Sequence, residues 1–341
     1  MIFVSLAVIL YICNKKLAMK RIILGAVMML LSLGGYAATR TVNVGKFTAI
    51  ELNSYVNVVF RQQKSGGQAT IEGKSNEIVN DVVMEVKGST LVIDTKNKKW
   101  KLGDVRKYAA TVTVASPEIN GLEVNGSGSL NAGDLKTVNL SMTLNGSGSI
   151  SAGAVDVSAA NVKVNGSGEV SVTTLESTNV SARLNGSGDI EIGNIVSSAS
   201  VLDLNGSGDV KVNGLKATNV DVRLNGSGDL NIGNCTASAV TAGLSGSGDL
   251  RLSGVSATTV TAELEGSGDL TLSGKANSAD LSLSRSGDLR AGNLVCRTVV
   301  ASVDGSGDIT CHATESVSTK VRGSGDISVK GNPGKRIVKK D

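Results

Sequence analysis

The chain has 341 residues, with 34 Lys and Arg against 30 Asp and Glu, a formal net charge of +4 at pH 7, 42 glycines and 2% aromatic residues. A balance this mild offers no broad basic surface, and so no case for a nucleic-acid partner. No Phe, Tyr or Trp follows Tyr108, so any core in the larger part of the chain is aliphatic and narrow.

Residues 1–37 read as a leader. An apolar run over 1–12 ends at Asn14-Lys15-Lys16. A second segment opens at Met19 with Lys20-Arg21, continues through the apolar run 22–33 and ends in Gly34-Gly35-Tyr36-Ala37-Ala38. Charge, a short apolar stretch and small residues before the cut make a secretory signal. The apolar run is too short to span a bilayer comfortably. The expectations are a true start at Met19, cleavage after Ala37 and no integral span in the mature chain. Cys13 follows Tyr11-Ile12 rather than small residues, so it is not read as lipidated.

Residues 38–122 alternate without a strict repeat and read as irregular N-terminal coils and a cap. Strands are expected over 41–44, 50–60, 69–72, 91–94 and 110–114, while 76–86 is undecided between helix and strand. The mature chain's aromatics, Phe47, Tyr55, Phe60, Trp100 and Tyr108, fall here and are expected to plug the open edge of the first coil. Lys98, Lys99, Trp100 and Lys101 form the strongest basic run, with Arg106-Lys107 just after it. Cations around an indole suit an anionic polymer, and a solvated loop explains the same run. These four residues are the candidate ligand contacts.

From 123 to 330 the motif Asn-Gly-Ser-Gly-Asp recurs. Gly-Ser-Gly begins at Gly126 and returns every 20 residues through Gly266, then degenerates to Arg285-Ser286-Gly287 and resumes at Gly305 and Gly323. In each unit the residue four places after the first Gly is aliphatic, as in Leu130, Ile150 and Val170. The next is mostly polar and the one after it small or aliphatic. A second alternating run, such as Val220-Asp221-Val222-Arg223-Leu224, precedes the next turn. Period-two alternation marks strands with one buried face, and a fixed short period marks units that must stack. The expected fold is all-β: a single-stranded parallel β-helix (solenoid) with about 20 residues per coil. At ~4.8 Å per coil its eleven coils make a rod about 50 Å long. The corner glycines are expected to supply positive φ. Lys275 interrupts one apolar column and marks a local irregularity. Residues 331–341 form a basic tail.

Stacking sets polar residues in columns. Asn125, Asn145, Asn165, Asn185, Asn205 and Asn225 are expected to hydrogen-bond through their side-chain amides. Glu169, Asp189 and the aspartates at each later turn would repel at coil spacing, unless each accepts backbone N–H bonds in its own turn. Calcium-binding β-rolls place Asp within a nine-residue period, unlike this chain, so no metal is expected. Cys235, Cys296 and Cys311 are read as buried free thiols. His312 is the single histidine. The carboxylates recur as structural copies rather than one convergent pair, so no catalytic or cofactor-binding residue is assigned.

Phe47-Thr48-Ala49-Ile50-Glu51-Leu52, then Val56-Asn57-Val58, then Gly88-Ser89-Thr90-Leu91-Val92-Ile93 and the reiterated Gly-Ser-Gly-Asp resemble the head GIN domain family of "putative auto-transporter adhesins", found mainly in Bacteroidetes-type bacteria. The resemblance covers about residues 40–330. It implies a right-handed β-helix and a cell-envelope location, with no established catalytic residues to carry over. No translocator barrel is expected after Gly331-Asn332-Pro333, so the auto-transporter part of the description is not expected to apply. The functional expectation is an exported, non-enzymatic, adhesin-like binding module of the periplasm, outer-membrane surface or exterior. Its ligand would be an envelope or extracellular polysaccharide or a host surface. The alternatives are a structural scaffold and, less favoured, a polysaccharide lyase or hydrolase.

Overall fold

Period-two alternation repeated every 20 residues becomes, in the computed structural model, a stack of parallel strands. Each residue sits over its counterpart one repeat earlier. Residues 38–96 and 110–340 are described. Ile150 pairs with Val170, Val170 with Ile190 and Ile190 with Val210, all across parallel ladders. The result is an all-β parallel solenoid of about 11 turns with ~20 residues per turn.

The first section holds β1 (Ala38–Asn43), β2 (Ala49–Leu52), β3 (Asn57–Gln62), β4 (Gln68–Gly73), α1 (Asn76–Asp81), β5 (Val82–Lys87), β6 (Thr90–Thr95) and β7 (Thr111–Ser116). The repeats begin with β8 (Gly121–Val124), β9 (Ser129–Ala132), β10 (Leu135–Lys136), β11 (Asn139–Leu144), β12 (Ser149–Val164) and β13 (Glu169–Gly186). They continue through β14 (Asp189–Val196), β15 (Ala199–Gly206), β16 (Asp209–Lys216), β17 (Asn219–Gly226), β18 (Asp229–Gly246) and β19 (Asp249–Gly266). They end with β20 (Asp269–Arg285), β21 (Asp288–Gly305), β22 (Ile309–Gly323), β23 (Ile327–Lys330) and β24 (Lys335–Lys340).

β2 and β3 pair in parallel with β8 and β9, and β6 and β7 lie on the other side of β2 and β3. The single strand expected over 50–60 is therefore two strands around a corner, with Asn53 beneath Asn125 and Ser54 beneath Gly126. The undecided stretch 76–86 is α1 followed by β5. Ser75 caps the helix, its Oγ accepting from the Ile78 N–H at 3.4 Å, and Glu77 stands in the first turn. Both features favour a helix start.

Beyond β6 and β7 the pairing turns antiparallel: β5 on β6, β4 on β7 and β1 on β4. Ile78 and Val79 of α1 pack over Gly73 of β4. The Arg40 guanidinium donates to the Val82 carbonyl oxygen at 2.6 Å, tying β1 to β5. A parallel stack leaves unpaired backbone groups at its end, and here antiparallel strands with a short helix cover them. Phe47 and Phe60 are buried in the core, whereas Tyr55 reaches outward to Asp81, Oη to Oδ2 3.4 Å. Strands and α1 close the described part of this end, and Trp100 and Tyr108 of the expected aromatic plug lie outside the described residues.

The core is a set of aliphatic columns. From Leu130 to Ile309 the position four residues after the first turn residue is at most 1% exposed in every coil. Each such side chain contributes about 1.5–3 kcal/mol by leaving water. Cys235, Cys296 and Cys311 are buried and unpaired.

Register shifts interrupt several of the later ladders, and one of them decides where Lys275 lies. The register shifts between Leu252 and Val255, so Gly274 stands opposite Val255 and Lys275 opposite Ser256. Lys275 is exposed. It therefore does not interrupt the apolar column as its spacing suggested. Burying an unpaired ammonium costs far more than a one-residue slip in the ladder, and Gly274 absorbs the slip at φ 132°.

Candidate functional site

The corner that carries Asn-Gly-Ser-Gly-Asp is the most regular chemical surface of the rod. Its glycines sit where no β-carbon fits. A Cβ on Gly148, Gly168, Gly208 or Gly228 would overlap the carbonyl oxygen of the glycine one coil below. Positive φ accounts for less than expected. It occurs at the first glycine of some turns, such as Gly206 (157°) and Gly323 (102°), and not at the second. Close stacking of coils, rather than turn conformation, excludes side chains at the second position.

Bare glycine corners bring the neighbouring side chains into register. Asn145 Nδ2 donates to Asn125 Oδ1 at 2.7 Å, Asn165 to Asn145 at 2.7 Å, Asn185 to Asn165 at 3.1 Å, Asn205 to Asn185 at 3.2 Å and Asn225 to Asn205 at 3.0 Å. The ladder extends one step beyond the sequence reading. Asn125 donates to Asn53 at 2.8 Å, and Asn53 donates to Glu51 Oε1 at 2.7 Å. Aligned amides point their N–H ends toward Glu51, so a carboxylate closes the positive end of the row. The signal was present in Leu52-Asn53, which repeats Leu144-Asn145, but Ser54-Tyr55-Val56 hid it.

The acidic column behaves differently from its expectation. Four of its carboxylates bond the next coil rather than their own turn, while Asp269 and Asp288 pair with Arg290. Asp189 Oδ1 accepts from the Asp209 N–H at 3.1 Å, Asp209 Oδ1 from Asp229 at 3.1 Å, Asp229 Oδ1 from Asp249 at 3.3 Å and Asp308 Oδ1 from Asp326 at 2.9 Å. A charge-assisted bond to backbone offsets the repulsion along the row. Between the Asn and Asp columns runs a row of exposed serines, from Ser127 through Ser187 to Ser324.

Other outward positions form ion pairs between coils. Lys136 meets Asp156 at 2.6 Å, Lys211 meets Glu191 at 2.9 Å and Arg297 meets Glu315 at 2.7 Å. The hydrogen bond to Asp156 raises the Lys136 pKa, and that from Arg297 lowers the Glu315 pKa. These pairs are exposed and hold register more than they stabilise. Beside them runs a shallow groove of about 480 Å³ lined by Asn131, Ser151, Ser171 and Glu191 over Gly133 and Gly153.

The candidate contacts Lys98, Lys99, Trp100 and Lys101 lie outside the described residues. The strands that flank them are described. Ile93 pairs with Leu52, and Thr111 with Asn57. The chain therefore leaves β6 and enters β7 at the corner edge that carries the Asn ladder. His312 stands in register with Lys330, its ring against Gly331. Among the described residues no group of three or more His, Cys, Asp or Glu is placed to hold a metal ion, and no helix is long and apolar enough to cross a membrane.

No curated protein matches the chain. Among solved structures, a putative adhesin from Bacteroides fragilis is 21% identical, with 89% of this chain and 93% of that chain covered at a TM-score of 0.26. A putative lipid binding protein from Parabacteroides distasonis is 18% identical, with 90% and 95% covered at a TM-score of 0.31. A putative adhesin from Parabacteroides merdae is 16% identical, with 91% and 95% covered at a TM-score of 0.26. The family model described as "Putative auto-transporter adhesin, head GIN domain" matches residues 46–254 and 232–333. With the solenoid and its repeated corner, that match makes this chain a member of the head GIN domain family.

Proposed function

We propose that this chain is an exported, non-enzymatic binding module of a bacterial cell envelope, adhesin-like in action. The observation that carries the reading is the rod itself. Its described coils are hydrogen-bonded from end to end, and its corner presents columns of polar side chains, Asn from Asn125 to Asn225, exposed Ser from Ser127 onward and Asp from Asp189 onward. Such a surface is stiff and polar, and suits contact with an extended polymer rather than turnover of a small substrate. The family description as an adhesin supports it. The signal-like segment before Ala38 supports export.

The proposed ligand is an envelope or extracellular polysaccharide or a host-surface polymer. Lys98, Lys99, Trp100 and Lys101 are the proposed contacts, because the repeats carry no aromatic ring on which a sugar stacks. Surface proteolysis of intact cells, followed by a glycan and host-matrix binding screen, tests the reading. Surface exposure, with ligand binding lost on Trp100→Ala, is the expected result. A protein confined to the periplasm that binds nothing would make it a scaffold. A polysaccharide lyase or hydrolase would require a unique pair of carboxylates, whereas the corner acids recur as copies.

A further inference from the structure

The two ends of the rod are built differently, and the C-terminal end has the makings of a docking surface. β23 and β24 pair only with β22, and among the described residues nothing stacks on their outer edges. Three apolar side chains there continue inward columns with no coil above them among the described residues, and Arg336 continues the column of buried Val317. Ile327 follows Ile309, Val329 follows Cys311 and Val338 follows Thr319. Ile309, Cys311 and Thr319 are buried, whereas Ile327 and Val329 are half-buried and Val338 is 69% exposed. The apolar core thus comes to the surface at this end.

Cations ring it. Lys330, Lys335, Arg336 and Lys339 are all exposed. Lys330, Lys335 and Lys339 form no ion pair with a described residue, and Arg336 donates to the Gly331 carbonyl oxygen at 3.4 Å. Residues 316–339 hold six Lys or Arg and one acid, Asp326, whereas residues 123–315 hold eleven Lys or Arg against twenty Asp or Glu. The body of the rod is acidic and its C-terminal end basic.

We propose that this end docks the rod, end-on, to an anionic phospholipid surface. Charge decides the occupant. A second copy would bring either the same cations or an N-terminal end already covered by β1, β4, β5 and α1. Lysines along an open edge also deter addition of a further strand. An anionic bilayer attracts the ring of cations and repels the acidic body, which sets the rod upright. Val338, with Ile327 and Val329 behind it, gives the contact an apolar centre that a soluble polyanion would not need. This inference goes beyond the adhesin reading and does not depend on it.

The test uses the chain from residue 38 onward, which carries the whole hydrogen-bonded sheet, and avoids the apolar leader. It is sedimented with vesicles of phosphatidylcholine, with and without phosphatidylglycerol. Binding should require phosphatidylglycerol and weaken with salt. The triple variant Lys335→Gln, Arg336→Gln, Lys339→Gln should lose on the order of 100-fold in partition, at ~1 kcal/mol per cation. Val338→Asn should lose several-fold at unchanged charge. Unchanged melting temperatures keep the variants comparable. Equal partition of the triple variant and the parent would overturn the proposal. So would binding to a soluble sulfated glycan with no vesicle partition, which would identify a polysaccharide instead.

Discussion

The carbonyl oxygen of Gly188 occupies the space that a β-carbon on Gly208 would need. The second glycine of the turn is thus fixed by a residue 20 positions away. Gly208→Ala should cost more than about 3 kcal/mol, because backbone cannot yield as a side-chain tip can. Ser207→Ala, at the exposed residue between the two glycines, should stay within about 0.5 kcal/mol. Thermal melts of the two variants check this, and similar losses would assign the glycines to turn flexibility instead.

Strand faces give a second contrast. Val222 is fully buried, while Arg223 points outward and pairs with Asp221 at 2.6 Å. Val222→Asp should cost about 3–5 kcal/mol by burying an unpaired charge. Arg223→Asp should cost about 1 kcal/mol, since its partner is partly solvated. Denaturant midpoints of the pair measure the difference.

The Asn ladder gives a pH-dependent prediction. Asn165→Ala removes the bonds to Asn145 and Asn185 and should cost about 1 kcal/mol at any pH. Asn165→Asp should cost more at neutral pH, because a carboxylate oxygen then faces Asn145 Oδ1. Folding raises the pKa of that new carboxyl, so the protonated form is favoured and stability returns as pH falls. Melts at neutral and acidic pH should converge on the parent for Asp and not for Ala.

Arg285 stands where other turns have their first glycine, and its φ is 90°. A non-glycine residue there is strained by about 1–3 kcal/mol. Its guanidinium makes no ion pair with a described residue. Arg285→Gly should therefore stabilise the rod by about 1 kcal/mol, read as a higher melting temperature. A lower one would mean that the side chain contributes a contact outweighing the strain.

Burial pushes the Cys235, Cys296 and Cys311 thiols up to about 11. In the chain from residue 38 onward all three should resist a thiol reagent in the folded state and react on denaturation. Folding raises these pKa values above the ~8.5 of a free thiol. The stabilisation is complete below the unfolded value and is lost as pH climbs toward the folded one. The melting temperature should fall across that alkaline window, and less so in the triple Cys→Ala variant measured against its own neutral value.

By itself the sequence determined which residues face inward. A strand's side chains alternate, so Leu130-Asn131-Ala132 names its own buried face, and a strict 20-residue period leaves stacking as the way to cover every such face. Columns followed directly, and the Asn ladder with them, because identical residues stacked at coil spacing must meet. Only the tertiary structure decided what lies between non-identical coils. That Asn53 joins Asn125, 72 residues away, depends on the excursion through β4, α1, β5, β6 and β7 returning to the same corner. That Asp189 bonds the next coil and not its own turn depends on how closely bare glycine backbones approach. Lys275 shows the limit most plainly: counting placed it in the core, but the unit from Gly266 to Arg285 is one residue short, and the slip this forces falls where Gly274 comes opposite Val255 and the Lys275 charge stays in solvent. Local pattern fixes the face of a strand, whereas register between coils is settled by the sum of contacts along the whole stack.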